Sequence, residues 1–210
     1  MQKIMFNEHF GLETDTLNGT KDMTRRLIPQ KVLNAVPTYQ EEYLAGALEP
    51  ISIEDAIMNM CGPEKIFKVG YEIGEIVAVA QAYKYIYQFD CVPTWVPSTK
   101  DPSGFIKWDE SKGYSNKMYV KAEYMPRQIK ITGKKVERLQ AISDEDCLRE
   151  GIQEHLKGVQ YGFHSNIGYC GQYPFDTPRA AFAALIDKIS KKGTWNSNPY
   201  VFAYTYELVK

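Results

Sequence analysis

The sequence predicts an α+β protein built on one strongly curved, mostly antiparallel sheet or closed barrel, flanked by short helices. Three observations carry this expectation. Runs of β-branched and aromatic residues fall at 74–89, 128–138 and 200–208, capped helical segments lie between them, and no internal repeat divides the chain. The length agrees, because 210 residues suit one domain with a core that needs neither metal nor disulfide.

Taken in order, Lys3–Phe6 reads as a short first strand leading into a short helix from Glu8. Asn18-Gly19 is a helix stop or turn, followed by the polar run Thr20–Arg26. The character changes between Pro29 and Pro63. There Ser52 caps a helix to Met60, with Asp55 three residues on and Ile53, Ala56, Ile57 and Met60 at helical spacing. Residues 29–65 are expected to form an insertion or an extra layer. Gly74–Phe89 reads as the clearest strand, its odd positions Val77, Val79, Tyr83, Tyr85, Tyr87 and Phe89 being β-branched or aromatic. The Pro- and Gly-bearing stretch 92–116 reads as a long loop and a second insertion.

Gln128–Arg138 returns to a strand, with a turn or bulge at Gly133-Lys134. Ser143–Glu150 is a short helix with Ser143 as its cap, Asp146 completing a capping box and Gly151 as its stop. Val159–Pro174 is a Gly/Tyr-rich loop. Thr177-Pro178 then opens the best helix, with the stripe Ala181, Phe182, Leu185, Ile186 and Ile189 and an end at Lys191, Lys192 and Gly193. Tyr200–Leu208 closes the chain as a strand.

A net charge of −1 argues against non-specific coating of nucleic acid, which draws its affinity from releasing many counterions. A local basic cleft remains compatible with it. The four cysteines, Cys61, Cys91, Cys147 and Cys170, are spread too widely for a disulfide scaffold and suggest reduced thiols in a cytoplasmic protein. Met1–Phe10 carries Glu8 and His9 and lacks the apolar stretch of a signal peptide. No apolar run reaches the length of about 18 residues that crosses a membrane. His155, His164 and Cys170 lack the tight ligand pairs of a zinc site, so no metal or other cofactor is expected.

Four segments, in this order, resemble the ASCH domain family, in the longer form common in phage and prophage proteins. Gly19-Thr20-Lys21-Asp22-Met23-Thr24-Arg25-Arg26 is similar to the family's G-x-K-x-x-T-x-R signature, and Tyr71–Val79 to its entry into a barrel strand. Met125-Pro126-Arg127 through Arg138–Ser143 to Glu150-Gly151 resembles a third segment, and Trp195–Phe202 its closing W-x-x-N-P-W-V-W. Residues 29–65 and 92–116 fall outside the resemblance. It implies a PUA-like β-barrel with a cleft that receives single-stranded RNA or a modified nucleoside. Some relatives are amidohydrolases that remove the acetyl group from N4-acetylcytidine, and by motif matching their catalytic Lys, Thr and Glu fall on Lys21, Thr24 and Glu150. Gly19, Arg25, Arg26 and Arg127 are the matching candidates for ligand binding.

Chemically, a threonine hydroxyl needs a base, and Lys21 serves as one only if burial or neighbouring cations lower its pKa. If the signature lies on a helical turn, Lys21 and Thr24 share a face. Glu150 could orient the lysine or protonate a leaving amine, yet when ionised it raises the lysine pKa. A structural or phosphate-binding Lys–Glu pair is the alternative. Arg25, Arg26, Arg127, Lys130, Lys134, Lys135 and Arg138 could line a basic groove, or stand on a solvated face. Tyr83, Tyr85 and Tyr87 could stack on bases, although cross-strand packing explains them as well. Three functions stay open: a binding module for RNA or a nucleoside, an amide hydrolase, and an accessory protein-interaction module.

Overall fold

The computed structural model describes residues 1–62, 64–89, 91–99, 101–164 and 174–209. Cys170 and most of the loop read at 159–174 lie outside the described residues. In chain order the elements are β1 (Lys3–Ile4), α1 (Leu12–Leu17), β2 (Met23–Leu27), α2 (Gln30–Leu44), α3 (Ile53–Met60), β3 (Ile76–Val79) and α4 (Tyr83–Ile86). There follow β4 (Trp95–Pro97), β5 (Phe105–Lys107), β6 (Gln128–Arg138), α5 (Asp144–Arg149), β7 (Gln153–His155), β8 (Gln160–Gly162), α6 (Pro178–Ile189), α7 (Thr194–Ser197) and β9 (Tyr200–Leu208).

The spine is the antiparallel pair β6–β9, in register from Ile129 opposite Leu208 to Arg138 opposite Tyr200. These strands carry the β-branched and aromatic residues that suit a pleated, half-buried surface. The register shifts between Ile131 and Gly133, which is the bulge expected there. Glycine suits this point because a Cβ on Gly133 would stand 2.5 Å from Thr205 Oγ1 and force that side chain to shift. The five-stranded sheet runs β1-β3-β6-β9-β2, antiparallel throughout except that β1 lies parallel to β3. β1 and β2 are therefore its two edges.

Those edges approach without pairing. The Arg26 guanidinium of β2 donates to the Met5 carbonyl just beyond β1 at 2.7 Å, and the Phe6 and Tyr206 rings lie 5.8 Å apart. A side chain spans the seam where a closed barrel would have a ladder, so the expected barrel is an open sheet. β1 is only two residues long and the chain turns away over residues 8–11, leaving no strand to pair with β2.

The expected N-cap bonds are in place, but Asp146 does not complete a capping box, because its carboxylate pairs with Arg25. Ser52 Oγ accepts from Asp55 N at 3.0 Å, Ser143 Oγ from Asp146 N at 3.1 Å, and Thr177 Oγ1 from Ala180 N at 3.1 Å. α6 buries Ala181, Phe182, Leu185 and Ile186. Elsewhere the structure corrects the sequence reading. Residues 83–89 form α4 and a 3₁₀ turn, burying Tyr83 and Ile86 and exposing Tyr85, Tyr87 and Phe89. The stretch 92–116 holds the hairpin β4–β5. Together with Val120 and Met125, Tyr83, Ile86 and Val96 make a small second core beside Ala78 and Ala80 of the main sheet. Residues 29–65 contain a helix the sequence hid, α2, which runs through Pro37 and buries Val32 and Val36 one turn apart.

Candidate functional site

β2 is the element on which the site is built. Tyr206 N donates to Asp22 O at 2.9 Å and Ile28 N to Tyr200 O at 3.2 Å. By the antiparallel alternation, Asp22, Thr24, Arg26 and Ile28 then bond to β9, and the backbone groups of Met23, Arg25 and Leu27 turn to the free edge. Lys21 stands just before this strand, and Glu150 caps the C-terminal end of α5. The chain then turns at Gly151, whose φ of 102° is a conformation glycine adopts without strain.

Lys21 is 1% exposed and has all three ammonium protons engaged. Its Nζ donates to Met23 O at 2.5 Å, to Glu150 O at 2.7 Å and to Glu150 Oε2 at 2.8 Å. Arg25 takes up the remaining carboxylates. It donates to Glu150 Oε1 at 3.2 Å, to Asp146 Oδ2 at 2.9 Å and to Glu137 Oε1 at 2.8 Å. Lys135, 2.9 Å from Glu137, and Arg149, 3.7 Å from Asp146 and 2.9 Å from Asp22, extend this to a network of four cations and four carboxylates. Burial holds the Lys21 amine below its ordinary pKa, while Glu150 acts in the opposite direction. For Arg25 burial also pulls downward, but Glu150, Glu137 and Asp146 outweigh it and raise the pKa.

A cleft of about 1030 Å³ opens at the seam between the two edge strands. Its polar lining includes Asn7, Lys21, Thr24, Arg26 and Glu150. Thr24 is 5% exposed, and its hydroxyl makes no hydrogen bond among the described residues. Arg26 lies 5.4 Å over the Phe6 ring, and its Nε is buried without a partner, as is Asn7 Oδ1. One wall is the segment 115–118, fastened by Lys117, which donates to the Phe6 carbonyl and Glu13 and pairs with Glu8 at 2.9 Å. Burial raises the Glu13 pKa against the pull of Lys117.

Of the sequence-derived candidates, Lys21, Thr24, Arg25, Arg26 and Glu150 line this one cleft. Gly19 is exposed in the turn after α1 and does not line it. Arg127 is exposed, engages β3 through its carbonyl, which accepts from Val79 N at 2.9 Å, and lies outside the cleft. The signature is no helical turn: Thr24 sits inside a strand and Lys21 before it, with no hydrogen bond between the two side chains. The basic groove is likewise dispersed. Lys130 faces Glu207, Lys134 is buried against Glu72, and Arg138 stacks 3.8 Å over Tyr200. Tyr83, Tyr85 and Tyr87 form no common stacking face, since Tyr83 is buried in the second core.

Among the described residues no group of three or more His, Cys, Asp or Glu side chains is placed to hold a metal ion, and no helix is long and apolar enough to cross a membrane. Asn7, Glu13 and Lys117 were missed by sequence reasoning. They meet the site across separations of about a hundred residues or through turns, as Lys117 meets Phe6, and no local pattern marks them. Compared with family models, with curated proteins and with solved structures, the chain matches none.

Proposed function

We propose that the cleft binds a single nucleoside with a modified base, the ligand class implied by the resemblance to ASCH domains. One observation carries this reading: among the described residues Arg26 Nε–H and Asn7 Oδ1 are buried without partners, the Thr24 hydroxyl makes no hydrogen bond, and all three residues line one cleft with Phe6. Buried polar groups are rarely left unsatisfied. A donor, an acceptor and a hydroxyl that does both suit the mixed edge of a nucleobase, with an aromatic ring at its side. A longer RNA strand is less well served. Lys21, Arg25 and Lys117 are already ion-paired, and Arg26 alone among these cations has no carboxylate partner among the described residues.

The test is calorimetric titration with cytidine, N4-acetylcytidine and a single-stranded oligonucleotide. Nucleoside binding should be weakened by Thr24→Val and by Arg26→Met, and should change little with salt because no phosphate is neutralised. Binding of the oligonucleotide alone, with a steep salt slope, would assign the site to a strand. No binding of any nucleoside refutes the reading.

A second reading, hydrolysis of N4-acetylcytidine, is favoured by one feature: burial lowers the pKa of an amine that lines the same cleft as the Thr24 hydroxyl. Thr24 Oγ1 would attack the acyl carbon and pass its proton to a neutral Lys21. Arg26 Nε–H would stabilise the oxyanion, the cytosine amine would leave with a proton, and water would release acetate from the acyl-threonine. Because the Lys21 ammonium donates all its protons elsewhere, it must lose one and break from Glu150 to act. Turnover, read by chromatographic separation of the nucleosides, should rise with pH as Lys21 deprotonates. It should vanish in Lys21→Ala and Thr24→Ala and persist in part in Thr24→Ser; product persisting in Lys21→Ala would move the chemistry elsewhere.

A further inference from the structure

Residues 29–65 lie outside the resemblance to ASCH domains, and the two helices they form enclose a second hollow. Leu33, Val36, Pro37 and Gln40 of α2 recur at i, i+3, i+4 and i+7, so they share one face of the helix. With Ile53, the first residue of α3, and with Arg138 and Tyr200, that face lines a cavity of about 290 Å³. None of these residues lines the seam cleft. Gln40 Nε2 donates to Ile51 O at 2.8 Å, which ties α2 to the chain just before α3.

The one charged group in this lining is held in place. Arg138 and Tyr200 stand opposite each other at the last register position of β6 and β9, so their side chains share one face of the sheet. The guanidinium lies 3.8 Å over the Tyr200 ring and donates through Nη1 to Asn198 O at 3.1 Å. Asn198 is itself anchored, its Oδ1 accepting from Gln140 N at 2.8 Å. A guanidinium carries five N–H donors, and among the described residues Arg138 uses them for that one bond. The other cations of β6 all face acids: Lys130 faces Glu207, Lys134 Glu72, and Lys135 Glu137. Arg138 faces none among the described residues.

We propose that this hollow binds a free monocarboxylate with a compact apolar body. Charge complementarity selects the head, because a guanidinium fixed on an aromatic ring presents a planar fork that matches a carboxylate. Leu33, Val36, Pro37 and Ile53 select the body. At about 290 Å³ the cavity stands at the lower end of the roughly 300–1,000 Å³ of ligand pockets, so the body is a single ring or a short chain. An extended peptide is poorly served. Arg138 lies on β6 and Tyr200 on β9, both inside the sheet, so the hollow offers no free strand edge for a peptide backbone to pair with.

The experiment is an NMR titration with phenylacetate, 3-phenylpropanoate and hexanoate, each compared with its neutral amide. At least one acid should bind saturably, and its amide about tenfold more weakly, because the charge-assisted hydrogen bonds to Arg138 are lost. Protein resonances of Leu33, Val36 and Ile53 should shift. Arg138→Gln should reduce the acid to the affinity of its amide, whereas Ile53→Ser should weaken acid and amide together. Both side chains are exposed, so the variants should fold, with circular dichroism as the check. No saturable binding of any acid overturns the proposal, as does an amide that binds as well as its acid. Affinity unchanged in Arg138→Gln overturns it too. Shifts confined to Met5, Leu27 and Met118 would put the acid in the seam cleft and overturn the assignment to this hollow.

Discussion

Replacing Glu150 with Gln keeps the shape of the side chain and removes the one carboxylate shared by two sealed cations. Lys21 and the Arg25 side chain are each 1% exposed, so neither can recover its hydration when the charge is lost. Removing one partner of such a buried pair costs about 3–5 kcal/mol. Lys21 keeps its bonds to Met23 O and Glu150 O, and Arg25 keeps Asp146 and Glu137, which favours the lower end. For a chain of this length about 1 kcal/mol corresponds to about 2–4 °C, so the melting temperature should fall by at least about 6 °C. The pH dependence is the sharper part. Burial already holds the Lys21 pKa below 10.5, and without the opposing carboxylate it falls further. In the window between that folded value and the unfolded one, the unfolded chain binds more protons, so stability rises with pH. The deficit of Glu150→Gln relative to wild type should therefore shrink between about pH 7 and about pH 9.5, since a neutral amine is cheap to bury. The double variant Lys21→Met/Glu150→Gln should melt above Glu150→Gln at about pH 7, because the uncompensated charge is gone. Thermal denaturation followed by circular dichroism reads all three. An unchanged melting temperature, or a deficit independent of pH, would refute the account of Lys21 and Glu150 as a coupled buried pair.

Other perturbations follow from the same structure. Gly151→Ala forces a side chain into φ 102° and brings its Cβ 2.8 Å from Leu12 Cδ2, so it should cost about 1–3 kcal/mol, read by urea denaturation. Thr177→Ala removes the cap of α6 and should cost about 1 kcal/mol, or about 2–4 °C in melting temperature. Burial pushes the Cys147 thiol up to about 12 and raises that of Cys61. In the native protein at about pH 8 both should resist iodoacetamide while half-buried Cys91 is labelled before either of them, as peptide mass mapping would show. Early labelling of Cys147 would contradict its burial.

Some of this was legible in the sequence because the signal was local. A cap lies within four residues of what it satisfies, so Ser52, Ser143 and Thr177 announced their helices, and the length of the β6 and β9 runs announced the spine. Residues 83–89 misled because two periods coexist there. Tyr83, Tyr85, Tyr87 and Phe89 alternate as a strand would, but the buried pair is Tyr83 and Ile86, three apart, and burial decided for a helix. Pro37 concealed α2 and the prolines of 92–116 concealed the hairpin, although Pro97 sits in a short two-stranded sheet where a missing N–H is tolerated.

The site divides along the same line. Lys21, Thr24, Arg26 and Glu150 were marked by motif, but Arg127 carried the same kind of mark and lies elsewhere. A motif names residues, and strand order decides which of them meet. Arg127 precedes β6, in the middle of the sheet, so its backbone is committed to β3. Arg26 lies on β2, at an edge, and its side chain is free to cross to Met5. A β1 long enough to ladder onto β2 would close the barrel and fill the seam with backbone hydrogen bonds. Because β1 stops after two residues, the seam is crossed by the Arg26 guanidinium, and Thr24, Arg26 and Asn7 line the cleft that opens there. The feature that departs from the expected barrel is thus the one that leaves the cleft open at this seam.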